Sequence, residues 1–578
     1  MTKIRTILCE KLLNRKTVSL KAVSNGIFLH GKEKIIIYKG VIILRKRMIA
    51  VLTAFSLLYG CICVRLYDLS ATGTDTVSGS QKRYTIIIDD IRGEILDCNG
   101  EKLVNTDYEN IVAAKPTYNA LKTLENVIDY EKYSYAQQRM MKSSPITLSI
   151  GRQYVAENPD VVLLKKYVRY ATDGLADHVI GYLNGEKRGV SGIEKSFDDV
   201  LYTGESLSVS FSSDVHGRIL NGTPIKINNA QLATGSVTLT LDRDIQRFAE
   251  NAVDSNSVEC GGAVVVDIET GAIRAMVSRP DFEAGNISAY LKDENSPLLN
   301  RALNAYSVGS VFKVVVAAAA VEKGLSDFTY ECKGSCEIDG TVFGCNKKTA
   351  HGKLDMTKAL EFSCNTFFIA LAAEVGAQSV LETASLMGFG QQRQLAEGIV
   401  SGSGILPTAE KLSLSGAFAN FSFGQGDFTA TMLQLCNMMS SVAWGGKYCQ
   451  PYLVEKVTGA DGSVRYSHSE EYPVYVLSEN TSATLTEMLV SVVEKGNAIR
   501  AKLENGVLSA GKTATAQTGV FRADGTELCN TWFAGFFPAE NPKYTVVVLK
   551  EGGTSGAEDC APIFKCIADE IIRLEKNS

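Results

Sequence analysis

The chain has 578 residues, 45% of them apolar, and a formal net charge of −5. That length calls for two or more domains, the apolar fraction is too low for a multi-span membrane protein, and the charge gives nucleic-acid binding no support. Five scattered histidines without an H-E-x-x-H pattern argue against a zinc hydrolase, and fourteen cysteines are too thinly spread for a disulfide framework.

Residues 1–47 form a basic segment, in which Arg45-Lys46-Arg47 closes a series of lysines and arginines opposed only by Glu10 and Glu33. From Met48 to Val64 the chain is uncharged and mostly apolar. This run reaches the short end of the ~17–25 residues that span a bilayer, so residues 48–66 are predicted to be one transmembrane helix. The basic cluster before it places the N-terminus in the cytoplasm and the rest of the chain outside. A cleaved signal peptide is the rival, but no A-x-A-like site follows. Leu58-Tyr59-Gly60-Cys61 is a poor lipoprotein box, because Tyr59 is bulky for that role.

Residues 67–82 are rich in Gly, Ser and Thr and are expected to be a linker. Residues 83–233 have a different texture. Tyr84–Ile88 and Ile95–Asp97 are predicted strands, with Asn99-Gly100 as a tight turn. No cluster of reactive side chains stands out there, and a spacer or docking domain is expected.

The texture changes again from residue 234. Val237–Leu241 is predicted as a strand and Asp242–Val253 as a helix. Gly262–Asp267 and Ala272–Val277 flank Glu269-Thr270-Gly271, a hairpin signature. Ser307-Val308-Gly309-Ser310-Val311-Phe312-Lys313 then runs into Val314–Ala320, an uninterrupted apolar stretch predicted to be a buried helix. Tyr544–Leu549 is a further strand and Ala561–Lys576 a closing amphipathic helix. Hairpin strands with helices before, between and after them imply an α+β fold with an antiparallel sheet covered by helices.

Ser310 and Lys313 stand three apart, so on a helix they share one face. A serine hydroxyl is a poor nucleophile until a base takes its proton, and a lysine kept neutral by burial or by a second cation is such a base. S-x-x-K also occurs at Ser509–Lys512, where Gly511 argues against a helix. Downstream, Ser363-Cys364-Asn365 gives S-x-N and Lys512-Thr513-Ala514 gives K-T-A. Two further matches are set aside. Ser478-Glu479-Asn480 precedes a helix-like run and is read as an N-cap, and Lys348-Thr349-Ala350 lies in a loop-like stretch.

Ser310-x-x-Lys313, Ser363-x-Asn365 and Lys512-Thr513-Ala514, in that order, resemble the three active-site motifs of penicillin-binding proteins and serine β-lactamases. Arg92-Gly93-Glu94-Ile95-Leu96-Asp97 and Gly189-Val190-Ser191-Gly192-Ile193-Glu194 resemble the N-terminal pedestal domain of the class B penicillin-binding proteins. Asn300-Arg301-Ala302, Ser422-Phe423-Gly424-Gln425-Gly426 and Trp532-Phe533-Ala534-Gly535-Phe536 are similar to stretches of their transpeptidase domain. The resemblance runs from about residue 83 to 572. It implies a β-rich pedestal or dimerisation-type domain at 83–233 and a transpeptidase domain at 234–578, behind a single membrane helix.

The resemblance also implies an activity: peptidoglycan D,D-transpeptidation, inhibited covalently by β-lactams, on stem peptides ending in D-Ala-D-Ala. It makes Ser310 the nucleophile and Lys313 its base, with Lys512 as the nearby cation that keeps Lys313 neutral. Ser363 and Asn365 would stand across the cleft, Ser363 relaying the proton to the leaving amine. Lys512, Thr513, Ala514 and Thr515 would line the substrate's terminal carboxylate, and the backbone N–H groups of Ser310 and Thr515 would form an oxyanion hole. No glycosyltransferase domain is visible in the sequence, so a membrane-embedded glycan polymerase is the expected partner. No cofactor and no metal are expected. Cys332, Cys336 and Cys345 form the one cysteine cluster, for which a bridge or a metal site is an option, and they are read as structural packing residues. A D,D-carboxypeptidase and a non-catalytic scaffold for the polymerase are the alternatives; a class A β-lactamase lacks its deacylating string, since the one E-x-x-L-N match, Glu10–Asn14, lies on the cytoplasmic side. Ala514 departs from the usual glycine of the third motif, and its methyl is expected to narrow the cleft.

Overall fold

A computed structural model describes residues 31–71, 82–228, 234–345 and 349–577. The basic segment up to residue 30, with the Glu10–Asn14 string, lies outside the described residues, as do 72–81 of the expected linker, 229–233 at the expected domain boundary, and Lys348 of the K-T-A look-alike. The chain divides into two units at Lys82/Arg83.

Among the described residues, the first unit holds one helix, α1 (Gly31–Ala71). Its stretch Leu44–Tyr67, 24 residues of mean hydropathy 2.0, is long and apolar enough to cross a membrane, and none of it is buried against protein. At 1.5 Å per residue it reaches about 36 Å, beyond the ~30 Å of a hydrocarbon core. Leu52, Phe55 and Leu58 are exposed along it, as side chains awaiting an apolar solvent are.

The second unit opens with β1 (Lys82–Arg92), β2 (Glu94–Leu96) and β3 (Asp107–Ala114), followed by β4 (Ile146–Ser149), β5 (Val161–Val168), β6 (Tyr202–Ser213) and β7 (Lys226–Asn228). All of them but β2 form two three-stranded sheets, β1–β6–β7 and β4–β3–β5. The Asn99-Gly100 turn forms as predicted, with Gly100 at φ 82° and Asp97 accepting from the backbone of Asn99 and Glu101. The two stretches singled out in this region meet. Arg92 and Arg169 both pair with the fully buried Glu194, at 2.6 and 2.7 Å, and Tyr170 donates to the same carboxylate. Short β2 pairs in parallel with β8 (Ser236–Leu239), which pairs antiparallel with the strand Val454–Thr458. Residues on either side of the expected boundary thus share one sheet.

Helix α2 (Arg243–Ser255) starts where the sequence places it, with Asp242 as an N-cap accepting from Asp244 and Ile245 N–H. The predicted hairpin is β9 (Gly261–Asp267) with β10 (Ile273–Arg279). The long apolar stretch after Ser310 is α3 (Lys313–Glu322), buried from Lys313 to Val321, and S-x-N opens α4 (Asn365–Val375). Three strands near the end, β11 (Ala510–Phe521), β12 (Glu527–Phe537) and β13 (Tyr544–Glu551), join the hairpin in a five-stranded antiparallel sheet of order β10–β9–β13–β12–β11. Helix α5 (Ala561–Asn577) closes the chain.

Both faces of this sheet are covered, which is why its central strands are buried in near-continuous apolar runs rather than alternating. The alternation of β12 separates the two sides. Phe533 and Phe537 pack on Phe564 of α5. Trp532, on the other face, donates its indole N–H to the carbonyl of Ser307 at 2.9 Å, just before the Ser310 turn. The fold is α+β, an antiparallel sheet between helical layers, as the sequence predicts.

Candidate active site

Ser310 does not sit in the α-helix itself. It occupies a 3₁₀ turn, Gly309–Phe312, that feeds into α3. Gly309 has φ 64° and donates its N–H to the carbonyl of Gly424. A Cβ at Gly309 would stand 3.1 Å from the Ala516 methyl, and one at Gly424 only 2.1 Å from the Gly309 oxygen. Two glycines therefore let the serine turn lie against β11 on one side and the 422–426 loop on the other. Phe312 anchors the turn from below, its ring centroid 4.6 and 4.5 Å from those of Phe421 and Phe428.

One turn on, Lys313 is fully buried. Its Nζ donates to the Ser363 carbonyl at 2.7 Å and to Asn365 Oδ1 at 2.7 Å, and lies 3.1 Å from Ser363 Oγ. All three partners are uncharged. Burial brings its pKa down to about 7. Asn365 is oriented from both ends, since its Nδ2 donates to the carbonyl of Gly344 at 3.1 Å. Ser363 holds φ 53°, left-handed for a non-glycine residue, the kind of strain that collects at functional sites.

The third motif runs along the edge strand β11. Lys512 is also fully buried and donates to the Thr513 carbonyl at 3.0 Å. Burial, and next the charge of Lys313, hold it well below the ordinary lysine range. The expectation that Lys512 is what depresses Lys313 shifts accordingly: desolvation is the main cause for both amines. Thr513 donates its hydroxyl to Asn497 Oδ1 at 3.1 Å, and the exposed Thr515 accepts from Gly556 N–H at 3.4 Å. Asn497 lies in a loop and carries no sequence signal.

Ala514 faces differently from the sequence expectation. It pairs with Trp532 across the strands, so both side chains share the face turned to the serine turn, and it is only 4% exposed. Its methyl belongs to the core and not to the cleft mouth. The rival pairs fall away. Ser509 is buried at the start of a strand with its hydroxyl on the Ala501 carbonyl, and Ser478 is an N-cap bonded to Thr481 N–H. Lys313, Ser363 and Asn365 are bonded together, Lys512 lies close enough for the two lysine charges to be felt, and Ser310 stands one turn before Lys313; Thr513 and Thr515 lie on the opposite face of the strand from Lys512.

A five-stranded antiparallel sheet between helical layers, with an S-x-x-K turn, an S-x-N turn and a lysine-bearing edge strand brought together, defines the transpeptidase class of fold. The family model of the penicillin-binding protein transpeptidase domain matches residues 261–569. The chain belongs to that family. Among its relatives, stage V sporulation protein D of Bacillus subtilis is 28% identical over 533 residues, covering 84% of this chain and 79% of that protein. Peptidoglycan D,D-transpeptidase PbpA of Mycolicibacterium smegmatis is 30% identical over 402 residues, 61% of this chain and 78% of that one. Among solved structures, penicillin-binding protein 3 of Mycobacterium tuberculosis complexed with ampicillin is similar in fold, with a TM-score of 0.61 at 23% identity over 85% of this chain and 96% of that one.

Proposed function

We propose that this chain is a peptidoglycan D,D-transpeptidase that works through an acyl-enzyme on Ser310. The observation that carries the reading is Lys313: a fully buried amine one turn after Ser310, tuned to about pH 7 by burial, with only neutral partners around it. In its neutral form its two N–H groups serve the Ser363 carbonyl and Asn365, and its lone pair, with the Ser363 hydroxyl 3.1 Å away, takes the Ser310 proton. Ser310 Oγ bonds to the carbonyl carbon of the penultimate D-Ala. The C–N bond breaks, and the terminal D-Ala leaves as an amine, protonated through Ser363. The amine of a neighbouring stem peptide then attacks the ester and releases Ser310. A β-lactam meets the same attack, and its ring opens with the leaving nitrogen still tethered.

Lys512, Thr513 and Thr515 serve the substrate's terminal carboxylate through charge-assisted hydrogen bonds. The N–H groups of Ser310 and Thr515 hold the oxyanion, each such donor typically supporting ~10²–10³ in rate. In this reading α1 anchors the chain once, with Arg45-Lys46-Arg47 on the cytoplasmic side and the catalytic unit outside. Residues 83–233 are the pedestal, 234–578 the transpeptidase domain. In this reading glycan strands come from a membrane-embedded polymerase partner.

Intact-protein mass spectrometry after exposure to a penicillin tests the reading. One covalent adduct is expected on wild type and on Ser509→Ala, and none on Ser310→Ala. An adduct that persists on Ser310→Ala overturns it.

A further inference from the structure

A cavity of about 160 Å³ lies in the transpeptidase domain among Gly388, Ser401, Gln434, Asn437 and Gln450, and none of the residues around it belongs to the acyl-transfer site. Two of its amides stand three apart on one face of the helix Met432–Ala443, and they are used in opposite ways. Gln434 Nε2 serves the carbonyls of Gly388, Gln391 and Ser403 at 3.2, 3.0 and 2.8 Å, and its Oε1 accepts from Thr431 N–H at 2.9 Å. That amide fixes the walls. Asn437 is only 7% exposed, yet among the described residues its amide has no hydrogen-bond partner. Buried side-chain amides are bonded in nearly all proteins, so an open one at a cavity asks for an occupant. Gly388 keeps the room for it. It leaves the helix Ala377–Leu386 with φ 90°, and a Cβ there would stand 3.0 Å from Asn437 Nδ2 and 3.4 Å from the Tyr448 hydroxyl.

Size, charge and lining define the class of occupant. A cavity of about 150 Å³ admits a benzene-sized ring. An apolar ring, however, would leave Asn437 unsatisfied. A charged ligand finds no counter-charge. Arg393, the one charged residue of the described lining, engages both Glu471 oxygens through Nη2 at 3.0 Å and the Pro451 carbonyl through Nε at 3.3 Å. Leu433 and Pro451 give the cavity an apolar floor, while Gln391 and Gln392 stand exposed at its mouth. Gln450 Nε2 reaches the Tyr448 hydroxyl at a long 3.4 Å, and its Oε1 takes no bond among the described residues. A neutral six-membered ring with an apolar face and hydroxyls around its edge meets all of these demands, and that is a pyranose sugar.

We propose that this cavity is a saccharide subsite that seats one N-acetylhexosamine ring of a glycan strand, outside the acyl-transfer site. Asn437 offers a donor and an acceptor together, the complement of the C=O and N–H of an acetamido group. The choice of an N-acetylated sugar rests on the proposed function, whose substrate carries its stem peptides on such sugars; the ring size and the neutrality rest on the cavity alone. A strand held there tethers its stem peptides to the enzyme and raises their concentration near it.

The test is isothermal titration calorimetry of the full-length chain, in a detergent without a sugar headgroup, with diacetylchitobiose as the probe. Binding is expected to wild type and, at unchanged affinity, to wild type already acylated by penicillin. Asn437→Leu keeps the volume and removes the amide, and should weaken binding by about tenfold or more. Cellobiose, which lacks the acetamido groups, should bind wild type about tenfold more weakly than diacetylchitobiose. Since a buried substitution can misfold, Gln450→Ala at the half-buried rim is titrated beside it, with weaker binding expected, and near-UV circular dichroism reports the fold of both variants. No heat from wild type at millimolar sugar would mean a cavity that holds water only, and would overturn the proposal. Full-affinity binding by the folded variants or equal affinity for cellobiose would overturn it too, as would loss of binding on acylation, which would place the sugar in the catalytic cleft. Sugar binding is read without reference to acyl transfer. A chain that binds the sugar but takes no penicillin refutes the proposed function alone, and one that is acylated on Ser310 but ignores the sugar refutes this inference alone.

Discussion

Around Glu194 the chain buries charge in pairs; around Lys313 it buries charge alone. The Glu194 carboxylate is fully enclosed, yet Arg92, Arg169 and Tyr170 satisfy it. Lys313 and Lys512 are enclosed as completely, and among the described residues neither has a carboxylate partner. The first arrangement fixes a shape, because removing one member strands the others in low dielectric. The second disfavours the ammonium form and so makes a base, at a cost in stability. Equal burial has opposite consequences, and what decides is whether a counter-ion was supplied.

Substitutions on each side should separate the two designs. Lys313→Met removes the base, and penicillin acylation should drop by about 10²–10⁴, while the melting temperature holds or rises because an unpaired buried amine is gone. Glu194→Gln should do the reverse. It leaves two buried guanidinium groups short of their counter-charge, so stability should fall by about 3 kcal/mol in denaturant titration, with the acylation rate of the folded protein unchanged. A Lys313→Met protein that melts markedly lower, or a Glu194→Gln protein as stable as wild type, would break the comparison.

The lone amine also sets a pH dependence. Lys313 must be neutral to accept the Ser310 proton, so acylation should rise about tenfold per pH unit below pH 7 and level off above it, tracking the value of about 7 that burial imposes. The stability sign follows from linkage. Between about 7 and the ordinary lysine value of 10.5 the unfolded chain binds the proton and the folded chain does not, so this residue makes the protein more stable as pH rises through that window. Below pH 7 both states are protonated and its unfavourable contribution is fully present. Rate profiles of wild type with a neutral β-lactam check the first statement, and the difference in pH–stability curves between wild type and Lys313→Met checks the second.

Much of the catalytic side was legible beforehand because its signals are local. The Asp242 cap, the hairpin at Gly271, the apolar stretch after Ser310 and the three short motifs each show in a few consecutive residues, and the strand at Ser509 was separable from a helix by Gly511. What stayed hidden depends on contacts between distant segments. The 3₁₀ turn at Ser310 arises from Gly424 and Ala516, more than a hundred residues downstream. Closeness in sequence groups Cys332, Cys336 and Cys345, whereas folding replaces Cys336 with His351 and Cys364. Asn497 reaches Thr513 from a loop with no pattern of its own. The direction of the Ala514 side chain needed the β11–β12 register, which composition does not carry.

That register sharpens the smallest of these tests. Had the Ala514 methyl faced the cleft, trimming it to glycine would speed acylation by bulky β-lactams more than by a small thioester. In the sheet the methyl lies on the Trp532 side, packed toward the serine turn with almost no exposure. Ala514→Gly should then change the two acylation rates by the same factor, because neither donor touches the methyl. The substitution should cost about 0.5–1 kcal/mol, since glycine in a strand gives up more backbone freedom on folding. A small loss of packing against Trp532 adds to it in the same direction. Acylation by one bulky and one small donor, with a denaturant titration of both proteins, reads the two terms separately. A selective gain for the bulky donor would place the methyl in the ligand's path and would mean that β11 turns its Lys512 face into the cleft along a longer stretch than the Trp532 pairing allows.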